Sequence, residues 1–197
     1  MTSTKSTFRL IAEPIVLAVA LAAVVRSAVQ IYSIPSASMT PTLLIGDHIL
    51  VTPYGIDDHP QRGDIVVFRS PGHEEELLVK RVIAMPGDLL ESRGNRIAIA
   101  GHTVAEPYAE QSDPGLPVPT QIVPASCYFV MGDNRGNSRD SRHWGSLPQQ
   151  LVVGRARMVL WSSGTGASEA TAHAETTRQM LPRRAHITLA RLFLPVK

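Results

Sequence analysis

The chain has 197 residues, enough for one domain of ordinary size with an appendage and too few for two full cores. Apolar residues at 44% and charged residues at 18% argue against intrinsic disorder, and 15 Pro with 14 Gly argue against an all-helical bundle. The 19 Lys and Arg against 17 Asp and Glu leave +2, well short of the basic excess of a nucleic-acid binder, so no nucleic-acid partner is expected.

Residues 1–9 read as a cytoplasmic tail, because Lys5 and Arg9 precede a long apolar run and basic residues are retained on that side of a membrane. Residues 10–32, LIAEPIVLAVALAAVVRSAVQIY, carry only Glu13 and Arg26 as full charges and predict a single transmembrane helix. Starting from Pro14, which a first turn tolerates, the run to Tyr32 rises about 28 Å, close to the roughly 30 Å of a bilayer core. Arg26 can snorkel to the far interface, where Tyr32 is also comfortable. A cleaved secretory signal competes with this reading, since Ile15–Val25 has the length of a signal core. A cut after Ala28, however, would put Arg26 where a small residue belongs. A spanning helix places residues 33–197 outside.

Beyond Tyr32 the texture changes to short branched apolar runs bounded by Gly, Pro and Asp. HILVTPYGI, GDIVVFRSP, ELLVKRVIAMPGD, NRIAIAGHTV, SCYFVMGDN and LVVGRARMVLW each predict a strand, and together a mostly β domain, a barrel or folded sheet system. The Pro-rich stretch from Glu106 to Pro124 reads as a loop or edge excursion. Residues 162–180 are small and polar and read as a flexible loop, and the tail from Arg183 to Lys197 as a segment that packs on the domain or lies on a membrane. The one cysteine, Cys127, can form no intramolecular disulfide.

Three segments carry candidate chemistry. The first is the serine-rich turn IPSASMTPTLLIGD, 34–47, just outside the expected membrane span. The second surrounds Lys80. Only Lys5, Lys80 and Lys197 are lysines among the 19 cations, and a buried lysine, unlike an arginine, can give up its proton. Strand alternation puts Leu78, Lys80 and Val82 on one face, with Arg81 on the other. The third is MGDNRGNSRDSRHWG, 131–145, where Asp133, Arg135, Asp140 and Arg142 alternate in sign as fixed salt bridges do.

Taken in order, PSASMTPTL, GDIVVF, KRVIAMPGD and GDNRGNSRDSRHWG resemble the blocks of the bacterial type I signal peptidases, membrane-anchored Ser/Lys proteases. The resemblance implies a signal-peptidase-like folded β domain and names Ser38 as nucleophile and Lys80 as general base. It makes Ser36 an oxyanion-hole hydroxyl and Ser138 the hydroxyl that orients the lysine. It pairs Asp133 with Arg81 and Asp140 with Arg142. It further implies a reduced accessory β region at about 91–126 and small residues at the first and third substrate positions before the cut, while the apolar segment predicts one membrane anchor where some relatives have two. Gly136 and Arg139 depart from the family pattern. Met39 and Leu78, with Leu43 and Leu44, are the expected pocket-lining or lipid-touching residues.

The expected partners are secretory pre-proteins and the lipid bilayer, with a monomer favoured. The expected place is the bacterial cytoplasmic membrane, spanned once, with the catalytic domain on the outer side. No cofactor or metal is expected: His73 with Glu74, Glu75 and Glu76 reads as a solvated charged loop, and neither HExxH nor a paired cysteine occurs. The competing classes are a self-cleaving repressor, in which a DNA-binding region would replace the apolar segment, a His143-dependent serine protease, and a membrane-tethered binding protein that keeps the fold.

Overall fold

The computed structural model describes residues 12–20, 29–55, 58–93, 96–109, 116–163 and 193–196. The chain divides into two units, Met1–Gln30 and Ile31–Lys197. In the first, residues 12–20 are α-helical, and Ile15, Val16, Leu17 and Val19 are all exposed, so the helix presents apolar surface around its circumference. No described helix is long and apolar enough to cross a membrane. Residues 10–11 and 21–28 of the expected span lie outside the described residues, as do 164–180 of the expected loop. The far end of the span is corrected. Gln30–Ser33 is a strand, β1, rather than the last turn of a helix, because it pairs with a neighbouring strand and Tyr32 packs against the core of the second unit.

The second unit is mostly β, as expected. Its larger sheet is formed by β1, β2 (Asp47–Thr52), β3 (Ile65–Ser70), β4 (His73–Ala84), β9 (Cys127–Met131), β10 (Leu147–Pro148), β11 (Val152–Ser162) and β12 (Leu194–Pro195). The order is β1-β2-β11-β3-β4-β9-β10, with β12 added on β11. The smaller sheet has the order β7-β6-β5-β8, from β5 (Leu89–Arg93), β6 (Arg96–Ile99), β7 (His102–Thr103) and β8 (Gln121–Ile122).

Strands whose sequence is continuously apolar are buried on both faces. Along β3, Ile65 and Val67 join a cluster with Ile34, Met39 and Leu43, while Val66 and Phe68 join another with Val82 and Val130. Along β9, Tyr128 and Val130 share that second cluster, while Phe129 and Met131 turn to a third, which the smaller sheet completes through Leu90 and Ile97. β4 changes character along its length. Residues 73–77 are exposed and 80–84 are buried, so Lys80 and Arg81 stand where the strand enters the core.

β11 links the two halves of the larger sheet: its first residues pair with β3 and the rest with β2. Gly154 lies at an irregularity in the β3 pairing, where β2 passes so closely that a Cβ would sit 2.5 Å from the Thr52 carbonyl oxygen and 2.9 Å from Val51 Cγ1. That neighbour is backbone in a paired strand and cannot yield. Gly154→Ala is therefore expected to lose about 1–3 kcal/mol, the usual cost of overpacking. Urea unfolding checks this, and an unchanged midpoint would show that the strands can separate here without loss.

Candidate active site

Ser38 sits in a short 3₁₀ turn, Ala37–Met39, between β1 and β2, held because Met39 and Leu43 anchor its far side in the core. Both are essentially fully buried, so neither touches lipid. Leu78 is half-buried against the cluster that contains Phe68 and Val82. Lys80 comes from β4, 42 residues away in sequence, and its Nζ lies 2.9 Å from Ser38 Oγ. Ser36 Oγ is 3.3 Å from the same hydroxyl.

Lys80 is 3% exposed. Loss of hydration penalises its ammonium form and lowers the amine from 10.5 to about 8, against the opposing pull of Asp140, Asp133 and Glu76. The second hydrogen bond from Nζ goes to the Val79 carbonyl at 2.8 Å, not to Ser138. The expectation that Ser138 orients the lysine is corrected to that extent. The amine folds back on its own strand, and Ser138 Oγ is buried against Gly132, where its hydroxyl faces the Asp140 carboxylate.

Arg81, the next residue, has the opposite fate. Its Nε and Nη2 donate to Asp133 Oδ1 at 2.9 Å and Oδ2 at 2.7 Å, and Nη1 donates to the Gly63 carbonyl at 2.8 Å. Arg81 and Asp133 are 1% and 0% exposed. Thr42 Oγ1, from the segment after the Ser38 turn, donates to Asp133 Oδ2 at 2.6 Å, and the Tyr108 ring covers the guanidinium at 3.9 Å.

Asp140 begins the one-turn helix Ser141–Trp144 and accepts from Arg142 Nε and Nη2, both at 2.8 Å, from the Arg142 N–H and from the Gly132 N–H. Burial alone would raise its carboxyl, but the Arg142 guanidinium, the Gly132 N–H and the Ser138 hydroxyl outweigh that and hold it below the usual range. His143 Nδ1 accepts from the Asp140 N–H in a capping box, whereas the polar side chains that reach Ser38 Oγ are Ser36 and Lys80.

Four contributors lay outside the sequence-level list. Gly132 is one: a Cβ there would collide with the Ser38 carbonyl and Ser138, so only hydrogen fits. Asn134 binds the Ser38 turn through both its backbone and its side chain. Glu106 accepts from Arg135 Nη2 at 2.7 Å and Nη1 at 3.1 Å, and with Tyr108 it comes from the Pro-rich stretch read as a loop. Gly132 and Asn134 stand inside a quoted block and could have been singled out. For Glu106 and Tyr108 the sequence carries no signal.

Two measurements bear on this electrostatic arrangement. Asp133→Asn keeps the shape but leaves the Arg81 charge buried and uncompensated, so a loss of about 3 kcal/mol or more in urea unfolding is expected. Between pH 8 and pH 10.5 the unfolded lysine holds a proton that the folded one has released, so wild-type stability rises with pH across that window. Lys80→Met is accordingly expected to be more stable than wild type at pH 7 by about 1–3 kcal/mol, with the difference fading above pH 8. A constant difference across pH would contradict a desolvated amine.

A family model described as signal peptidase, peptidase S26, matches residues 8–161. Signal peptidase I of Leptolyngbya laminosa is 39% identical over 137 residues, covering 65% of this chain and 66% of that protein. A probable signal peptidase I-1 of Synechocystis is 42% identical over 131 residues, covering 62% and 66%. Signal peptidase I V of Bacillus subtilis is 36% identical over 154 residues, covering 71% and 90%. The chain thus spans just under two thirds of the length of the first two relatives. A crystal structure of a signal peptidase I from Enterococcus faecalis is 33% identical and covers 50% of this chain and 97% of that one, with a TM-score of 0.44. The resemblance carried by the four sequence blocks is borne out, and the chain belongs to the S26 family of signal peptidases.

Proposed function

We propose that this protein is a membrane-tethered serine endopeptidase that removes signal peptides from exported pre-proteins, with Ser38 as nucleophile and Lys80 as general base. The observation that carries the reading is the 2.9 Å approach of a buried amine, lowered to about 8, to a serine hydroxyl, in a chain of this family.

Neutral Lys80 takes the Ser38 proton as Oγ attacks the scissile carbonyl carbon. The oxygen that becomes negative is met by the Ser38 N–H and the Ser36 hydroxyl. The ammonium then protonates the departing amine, which leaves an acyl-enzyme and a neutral amine again. Lys80 next deprotonates a water, which attacks the ester and releases Ser38. While Ser38 is acylated, the buried Ser138 hydroxyl accepts from the lysine and donates to Asp140. Asp133 with Arg81 and Asp140 with Arg142 hold the surrounding segments rigid. Substrates bear small residues at the first and third positions before the cut, by likeness to the family. The exposed apolar helix at 12–20 and the basic Lys5 and Arg9 support a single-pass anchor in the bacterial cytoplasmic membrane, with the catalytic unit outside and the enzyme acting as a monomer.

The test is cleavage of a pre-protein by the full chain in detergent. Protonated lysine cannot accept a proton, so activity falls as pH drops through the amine's value. With that value about 8, kcat/KM is expected to rise about tenfold from pH 7 to pH 9. Ser38→Ala and Lys80→Arg should each lose about 10³-fold or more. Absence of processing by wild type would favour a binding protein, and turnover in Lys80→Arg would remove the lysine from the mechanism. Loss of activity in His143→Ala with Lys80→Arg still active would point to a histidine enzyme.

A further inference from the structure

An oxyanion donor is effective when its N–H already points at the place where charge will form. The Ser38 N–H belongs to the Ala37–Ser38 peptide, which is trans, and in a planar trans peptide C=O and N–H point in opposite directions. Whatever holds the Ala37 carbonyl therefore aims the Ser38 N–H. The Ala37 oxygen accepts two hydrogen bonds, from the Thr40 N–H at 3.1 Å and from Asn134 Nδ2 at 3.2 Å. The first lies within the turn itself. The second arrives from the loop after β9, 97 residues away in sequence. Asn134 also donates its backbone N–H to the Ser38 carbonyl at 3.1 Å, so one residue grips two successive peptides on either side of the nucleophile. Among the described residues no backbone acceptor takes the Ser38 N–H, which is left for a ligand.

We infer that Asn134 is a positioning residue for the oxyanion hole: its side-chain amide fixes the Ala37–Ser38 peptide so that the Ser38 N–H faces the developing negative charge. The inference rests on Ser38 being the nucleophile. Donation into the Ala37 oxygen also polarises that peptide and strengthens its N–H as a donor. The role differs from that of Lys80, because Asn134 acts on the oxygen that gains charge and not on the proton that Ser38 loses. It is also separable from loop anchoring, since the backbone bond from Asn134 to the Ser38 carbonyl survives any side-chain change.

Asn134→Asp keeps the shape but sets a carboxylate oxygen against the carbonyl, and Asn134→Ala removes the contact altogether. Both are assayed on a pre-protein as full-length chain in detergent, with Ser38→Ala alongside. Each variant is expected to lose about 10–100-fold in kcat, at or below the cost of deleting a direct donor, with KM within about twofold. The pH midpoint should stay where wild type has it. A peptide aldehyde, to whose carbonyl carbon Ser38 Oγ adds while its oxygen takes the place of the oxyanion, should bind more weakly by the same factor. The uncleaved substrate peptide, measured in the Ser38→Ala background, should bind unchanged. Wild-type kcat in Asn134→Ala would overturn the inference, as would equal losses for aldehyde and substrate peptide or a moved pH midpoint. Asn134→Ala decides the matter alone if Asn134→Asp does not fold. Full activity in Asn134→Ala beside an inactive Ser38→Ala sinks this inference and leaves the nucleophile standing. Turnover in Ser38→Ala removes both.

Discussion

The bidentate pair of Arg81 and Asp133 is the contact on which the site's architecture turns. It joins β4 to the loop after β9, and Thr42 ties the segment behind Ser38 to the same carboxylate. Two charges so far from water are tolerable because every nitrogen of the guanidinium and both oxygens of the carboxylate have partners, and removal of either residue strands the other. The position of the pair matters as much as its strength. Lys80 and Arg81 are consecutive, so the anchor for one fixes the backbone of the other, and the amine reaches Ser38 without freedom to wander.

The same burial acts on these two neighbouring cations in opposite ways. Arg81 recruits a carboxylate, a carbonyl and an aromatic face around it. Among the described residues Lys80 has only a hydroxyl and a carbonyl within hydrogen-bond reach, with Asp140, Asp133 and Glu76 felt from a distance, and its ammonium form suffers. Had the residues been exchanged, the guanidinium at position 80 could not have become a base and the amine at 81 could not have made the forked bond. The order of two residues in the chain thus separates chemistry from scaffolding.

The strands and the charged blocks were legible in the sequence because they depend on local pattern. Each of the six predicted runs contains a strand, and Val79 and Ile83 do face away from Leu78 and Val82. What could not be read is what depends on meetings between distant segments. β8, β10 and β12 have two residues each, too short for any period, and exist because a neighbour's edge is open. Gln30–Tyr32 reads as the end of a helix because it continues an apolar run, and the partner that makes it part of a strand lies further along the chain. The side chain of Ser138 went astray for a related reason: a motif names a residue but does not choose between a carbonyl one position away and a hydroxyl far along the chain as the acceptor for an amine.

The loop that carries Glu106 and Tyr108 leaves the smaller sheet and lodges against Arg135 and Arg81. A protein engineer seeking a minimal peptidase would be tempted to trim that sheet, since no strand of it carries a residue of the proposed chemistry. Trimming would uncover the guanidinium face and empty a forked carboxylate seat at the same stroke, so the smallest working unit is set by this wedge and not by the fragment that holds the serine and the lysine.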